Sequence, residues 1–135
     1  MVKNKWTLDG KTALVTGCTS GIGLAVADEF IALGADVTGV ARNEERLRRW
    51  ASEHNARGIA GDVTKDAAAI IGQIEKLDIL VNNAGTNIRK PTTDYSDEEY
   101  QHLIDTNQGA AFAMCRAAYP LLKRSGDASI VNVVS

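Results

Sequence analysis

The glycines of Thr16-Gly-Cys-Thr-Ser-Gly-Ile-Gly23 stand between a short β-rich run, Thr12 to Thr16, and a segment whose apolar residues recur at helical spacing. A helix that opens directly after a strand aims several backbone N–H groups and its positive dipole end at the turn, a place suited to a pyrophosphate. Glycine there has steric uses. Gly17 lets the chain turn sharply, Gly21 leaves a phosphate room to approach the backbone, and Gly23 lets the helix pack tightly on the strand. Thr19, Ser20 and Ile22 belong to the same loop and count with it as nucleotide-binding residues. The same glycines would also serve a plain strand-to-helix turn, but the strand-loop-helix context favours the nucleotide. Gly10-Lys11-Thr12 imitates the end of a P-loop. Lys5 stands where that motif needs its first glycine, and a strand follows rather than a helix, so phosphoryl transfer is rejected.

At the end of the next β-rich run, a fold that takes NAD offers a carboxylate to the ribose 2′-hydroxyl. This chain has Ala41-Arg42-Asn43 instead. A guanidinium at that place suits a 2′-phosphate, so Arg42 favours NADP(H) over NAD(H). Arg42 also opens the charged run Arg42 to Arg49, which has the alternative reading of a solvated helix face.

These residues need elements to hold them, and the pattern supplies an alternation. Thr12 to Thr16, Asp36 to Ala41, Arg57 to Ala60, Asp78 to Val81 and Ser129 to Val134 read as strands. Gly21 to Leu33, Glu44 to Glu53 and Lys65 to Lys76 read as helices. Ser96-Asp-Glu-Glu99 has the capping-box pattern and opens a long helix to about Arg124. Strands alternating with helices imply a three-layer α/β/α, doubly wound parallel sheet, here five strands in the order 3-2-1-4-5. No repeat or linker tract divides residues 1–135, which read as a single domain. The last strand is then an uncovered apolar edge that invites self-association.

Further motifs follow in order: Asp62-Val63, Asn82-Asn-Ala-Gly85 after the fourth strand, and Thr106-Asn107 in the long helix. With the glycine loop they resemble the short-chain dehydrogenase/reductase family over essentially the whole chain. The resemblance implies a Rossmann-like fold and a nicotinamide cofactor. It implies that Asp62 bonds the adenine amino group, Val63 packs on the adenine ring, and Asn83, Ala84 and Gly85 border the cofactor. Asn107 would hold a proton-relay water, and Ser135 aligns with the catalytic serine that positions the substrate carbonyl. On the residues alone, Asp62-Val63 also reads as a helix N-terminal turn, and Asn107 as a structural hydrogen-bonder. Thr86 to Lys90 and Ala118 to Lys123 resemble tropinone-reductase-like and sugar-acid members.

The family's Tyr-x-x-x-Lys pair would lie past Ser135, so the sequence reads as a truncated, incomplete member with little turnover of its own. Tyr119-Pro-Leu-Leu-Lys123 meets the bare pattern, but it falls at the end of the long helix before the last strand. Tyr119 is taken as packing and Lys123 as a C-terminal helix charge. Two functions therefore compete: a hydride-transferring oxidoreductase acting on a carbonyl or secondary alcohol, and an inactive nucleotide-binding or self-associating fragment. A homo-oligomer is expected in either case.

With 44% apolar and 24% charged residues and a net charge of −2, the chain has core-forming capacity and no basic excess for nucleic acid or acidic membranes. No apolar run has the length of a signal segment or membrane span, which gives a cytoplasmic expectation. Cys18 and Cys115 lack metal-type spacing and read as reduced thiols, with Cys115 in a core; no metal site is expected. His54 and His102 read as surface or helix residues, and Arg89 and Lys90 as a solvated loop that also has the option of facing an anionic substrate.

Overall fold

The computed structural model describes residues 6–134. Five strands, β1 (Thr12–Thr16), β2 (Asp36–Ala41), β3 (Arg57–Ala60), β4 (Ile79–Asn82) and β5 (Ser129–Asn132), form one parallel sheet in the order β3-β2-β1-β4-β5. The helices are α1 (Gly21–Ala32), α2 (Glu44–His54), α3 (Ala67–Ile71), α4 (Asp97–Ile104) and α5 (Ala110–Ser125). The sheet order is the one the alternation predicts.

Side chains on a strand alternate between faces, and the core divides accordingly. Leu14, Val40 and Leu80 meet Ile70 of α3 and Met114, Ala118 and Leu122 of α5 on one face. Ala13, Val15, Val37 and Val81 meet Ala27 of α1 and Leu47 and Trp50 of α2 on the other. Gly39 makes room for that second layer, since a Cβ there would stand 2.6 Å from the Trp50 ring and closer still to Cys18 Sγ. The central strands β1 and β4 are the most buried, which sets their C-terminal ends rigidly beneath the glycine loop.

Asp78 ties the lower end of the sheet. Its carboxylate accepts from Thr12 N at 2.9 Å and Ser125 Oγ at 2.6 Å, while its carbonyl accepts from Ser129 N. Burial pushes this carboxyl upward, but the bonds from Ser125 and Thr12, with Lys76 and Lys11 nearby, prevail and hold it below its ordinary value.

Three expectations change. The helix expected over Lys65 to Lys76 closes after Ile71, where Gly72, Gln73 and Ile74 continue as tight turns. The long helix is interrupted by a π-helical turn, Asp105–Gly109. Four of its five residues, Asp105, Thr106, Asn107 and Gly109, are weak helix formers, so an expanded turn there costs little. The last strand ends at Asn132 rather than Val134, and its residues are exposed as expected, Ile130 and Val131 at 46% each.

Candidate cofactor site

Gly17 turns at φ 66°, and its N–H donates to Val40 O at 2.8 Å, which extends the β1–β2 ladder by one bond into the loop. A side chain at Gly23 would overlap the Gly17 carbonyl and Asn83 Nδ2. The close packing required of Gly23 is thus against the loop itself. The space beside Gly21 is open, and its φ of 57° favours glycine. Ser20 is the N-cap of α1, yet its side chain makes no capping bond, and the first turn carries no acid. The leading N–H groups of the twelve-residue helix therefore have no side-chain cap to occupy them.

The loop is fixed from below. Thr16 Oγ1 accepts from both Asn83 N and Ala84 N at 3.0 Å, and Asn83 Nδ2 donates to the carbonyls of Thr16 and Gly17 at 3.2 Å. Asn83 acts first as a brace between the β4 turn and the glycine loop. Asn82 does the same work sideways, donating to Asn132 of β5 at 2.9 Å. Thr16 was not singled out from the sequence, because one threonine at a strand end carries no pattern.

Above these turns lies a cleft of about 920 Å³. Its walls gather Gly17, Thr19 and Ser20 from the glycine loop, Arg42 from the end of β2, Asp62 and Val63 after β3, and Asn83, Ala84 and Gly85 after β4. Gly21, Ile22 and Gly23 shape the loop without lining the cleft. Asp62 Oδ1 accepts from Thr64 Oγ1 at 2.6 Å and Thr64 N at 2.9 Å. Those bonds, then Lys65 and Arg42 acting at longer range against partial burial, hold its carboxyl below the ordinary range, so it stays an acceptor. Val63 is 8% exposed and closes the cleft floor against the core. The residues after β3 also form the turn into α3, with Asp62 O accepting from Lys65 N and Asp66 N, as the reading of Asp62-Val63 as a helix N-terminal turn expects.

Asn107 sits in the π turn beside the cleft. Its Oδ1 accepts from Thr86 N at 2.8 Å and its Nδ2 donates to Thr86 O at 2.9 Å, a reciprocal clasp on the loop leaving β4. One lone pair and one N–H of the amide remain for other partners. His102, Asp105 and Thr106 join the same wall, with His102 exposed on α4 as expected of a surface or helix residue. Lys90 is not free for a substrate, since its ammonium meets Glu99 Oε1 at 2.6 Å. Ser135 lies outside the described residues.

Other expectations are corrected. Tyr119 is 61% exposed on α5, outside the cleft, with Lys123 over its ring at 6.0 Å, so it neither packs inward nor lines the site. Cys18 is fully buried and its thiol is pushed up to about 11 by burial, while Cys115 is only half-buried at the core edge. His54 caps its own helix on Trp50 O and pairs with Asp28 at 2.9 Å. Among the described residues no helix is long and apolar enough to cross a membrane, and no cluster of three ligand-type side chains is present.

The family model for short chain dehydrogenases matches residues 11–135. The chain belongs to the short-chain dehydrogenase/reductase family. It is 43% identical to a tropinone reductase homolog of Arabidopsis thaliana over 97% of this chain and 54% of that protein. A tropinone reductase homolog of Datura stramonium is 39% identical over 94% of this chain and 52% of its own length. Among solved structures, the 2-keto-3-deoxy-D-gluconate dehydrogenase of Streptococcus agalactiae is similar with a TM-score of 0.82 at 29% identity, covering 96% of this chain and 53% of that one. The chain thus spans about half the length of the curated relatives it matches. The short-chain dehydrogenase/reductase family consists of oxidoreductases that bind NAD(H) or NADP(H), and the cleft fits such a group: an uncapped helix N-terminus, a glycine no side chain can replace, and an ionised acceptor at Asp62.

Proposed function

We propose that these residues are the cofactor-binding half of an NADP(H)-dependent oxidoreductase acting on a carbonyl or secondary alcohol. The observation that carries this reading is Arg42, which lines the cleft at the end of β2, where NAD-preferring folds present a carboxylate. The glycine loop and α1 N-terminus hold the pyrophosphate, Asp62 accepts from the adenine amino group, and Val63 packs on the ring. Asn83, Ala84 and Gly85 border the nicotinamide end. Asn107 keeps the Thr86 loop in register beside the reacting centre and contributes to a proton-relay water. Ser135, which follows Val134 in the sequence, positions the substrate oxygen. The bound nicotinamide supplies or accepts the hydride; the protein orients, polarises and moves the proton.

The proton donor of this reaction is a tyrosine activated by a lysine. The one Tyr-x-x-x-Lys match here, Tyr119 and Lys123, stands outside the cleft. The 135 residues alone therefore bind nucleotide with little turnover, and their exposed β5 edge favours a homo-oligomer. The test is equilibrium binding of NADPH and NADH before and after Arg42→Ala. The substitution is expected to weaken NADPH about tenfold, the effect of losing a solvent-exposed charge-assisted contact, and to leave NADH nearly unchanged. Equal affinities in the unsubstituted chain would overturn the NADP(H) preference, and carbonyl-dependent NADPH oxidation above the enzyme-free rate would overturn the inactivity.

A further inference from the structure

We propose that Arg46 is a second specificity-determining residue, which meets the 2′-phosphate of the nucleotide from α2 opposite Arg42. The inference rests on the NADP(H) reading above and names a residue that reading does not use. The glycine loop, Gly17 to Gly23, contains no cationic side chain, so positive charge for a phosphate beyond the pyrophosphate must come from elsewhere. Arg46 supplies it. It lies one helical turn after Arg42, lines the same cleft, and extends its guanidinium to within 3.5 Å of Thr19 O, spanning the gap between α2 and the loop.

Its neighbours leave it available. Leu47 and Trp50 turn into the core, and Glu44 and Glu45 pair along the outer helix face with Arg48 and Arg49 at 3.2 and 3.7 Å. Among the described residues no carboxylate lies within ion-pairing distance of Arg42 or Arg46. Asn43 caps the helix by accepting from Arg46 N at 3.0 Å, which fixes where the Arg46 side chain begins. Two guanidiniums therefore flank one end of the cleft, whereas the acids of the same segment face away. This is more than a solvated charge run.

The experiment measures dissociation constants of the full chain for NADPH, NADH, adenosine 2′,5′-bisphosphate and adenosine 5′-monophosphate, with Arg42→Ala, Arg46→Ala, Arg46→Lys and the double alanine variant. Arg46→Ala is expected to weaken the two 2′-phosphorylated ligands about tenfold and the other two less than about twofold, with Arg46→Lys recovering part of the loss. Equal weakening of all four ligands would mean that Arg46 only holds the loop through Thr19, and would overturn the proposal. No change in any ligand would do so too. If the unsubstituted chain does not discriminate, both assignments fall. If Arg42→Ala abolishes the preference while Arg46→Ala keeps it, only the Arg46 assignment falls; the reverse pattern removes Arg42 and leaves Arg46.

Discussion

Under the proposed reading, Asp62 serves recognition rather than proton transfer. Thr64 donates twice to Oδ1, so the carboxyl is held below the ordinary range and the other oxygen remains an acceptor for an amino group. A depressed pKa means the charged form persists from neutral pH down through the usual carboxylate range, and is lost only as pH falls through the folded value. Nucleotide affinity is therefore expected to be flat across that upper interval, as a binding titration against pH would show; a decline beginning near neutrality would point to a different group. Asp62→Ala should weaken adenine nucleotides by about five- to tenfold whether or not they carry a 2′-phosphate. A loss restricted to NADPH would contradict the adenine role. Gly23→Ala makes a harsher prediction, since its methyl would meet the Gly17 carbonyl and the Asn83 amide. It should abolish nucleotide binding and lower the melting temperature, and a variant that binds normally would show that the loop can yield.

At the scale of elements, the part of the site most visible in the sequence was the part built from backbone. Gly17 and Gly23 have a steric reason at fixed positions, and the β-rich runs feeding them are short and bounded, so β1, β2, β4 and the sheet order could be read directly. The π turn could not. The π turn Asp105–Gly109 holds Asn107 against Thr86, a contact between distant residues that leaves no periodic trace. The Thr16 brace was hidden for the same reason, and α3 was overextended because Gln73 to Lys76 keep a helical composition where the chain already turns. Arg46 was visible only as one charge in a run; its selection depends on which neighbours pair with each other. If the clasp sets the Thr86 loop, Asn107→Ala should raise hydrogen exchange at the Thr86 amide about tenfold, the equivalent of roughly 1–2 kcal/mol for the lost bonds. Unchanged protection would mean the loop is held by other contacts.

Over the whole molecule, Asp78 just before β4 bears on stability, and the free edge of β5 is expected to bear on assembly. Asp78 joins β1, β5 and the end of α5 through bonds to a buried carboxylate, whose depressed pKa contributes stability above the unfolded-state value and loses it as pH falls through the folded one. Asp78→Asn is expected to cost about 1–3 kcal/mol in denaturant unfolding at neutral pH. The difference from the parent should shrink in acid, and a constant difference would contradict the charge-assisted account. The outer edge of β5 is paired to β4 on one side only, with Ile130 and Val131 half exposed and Val134 at 83%. Such an edge should associate, giving concentration-dependent light scattering that Val131→Lys reduces. A monomer at every concentration would remove that expectation.

The central claim is that the cleft between the glycine loop, Arg42 and Asp62 is a working dinucleotide site. It is tested most directly by titrating the chain with NADPH and with NADH while following nucleotide fluorescence and the melting temperature. Saturable binding with a raised melting temperature, at least about tenfold tighter for NADPH, is the predicted result. No binding and no thermal shift with either nucleotide would contradict it, leaving the glycine loop as a structural turn in an associating fragment.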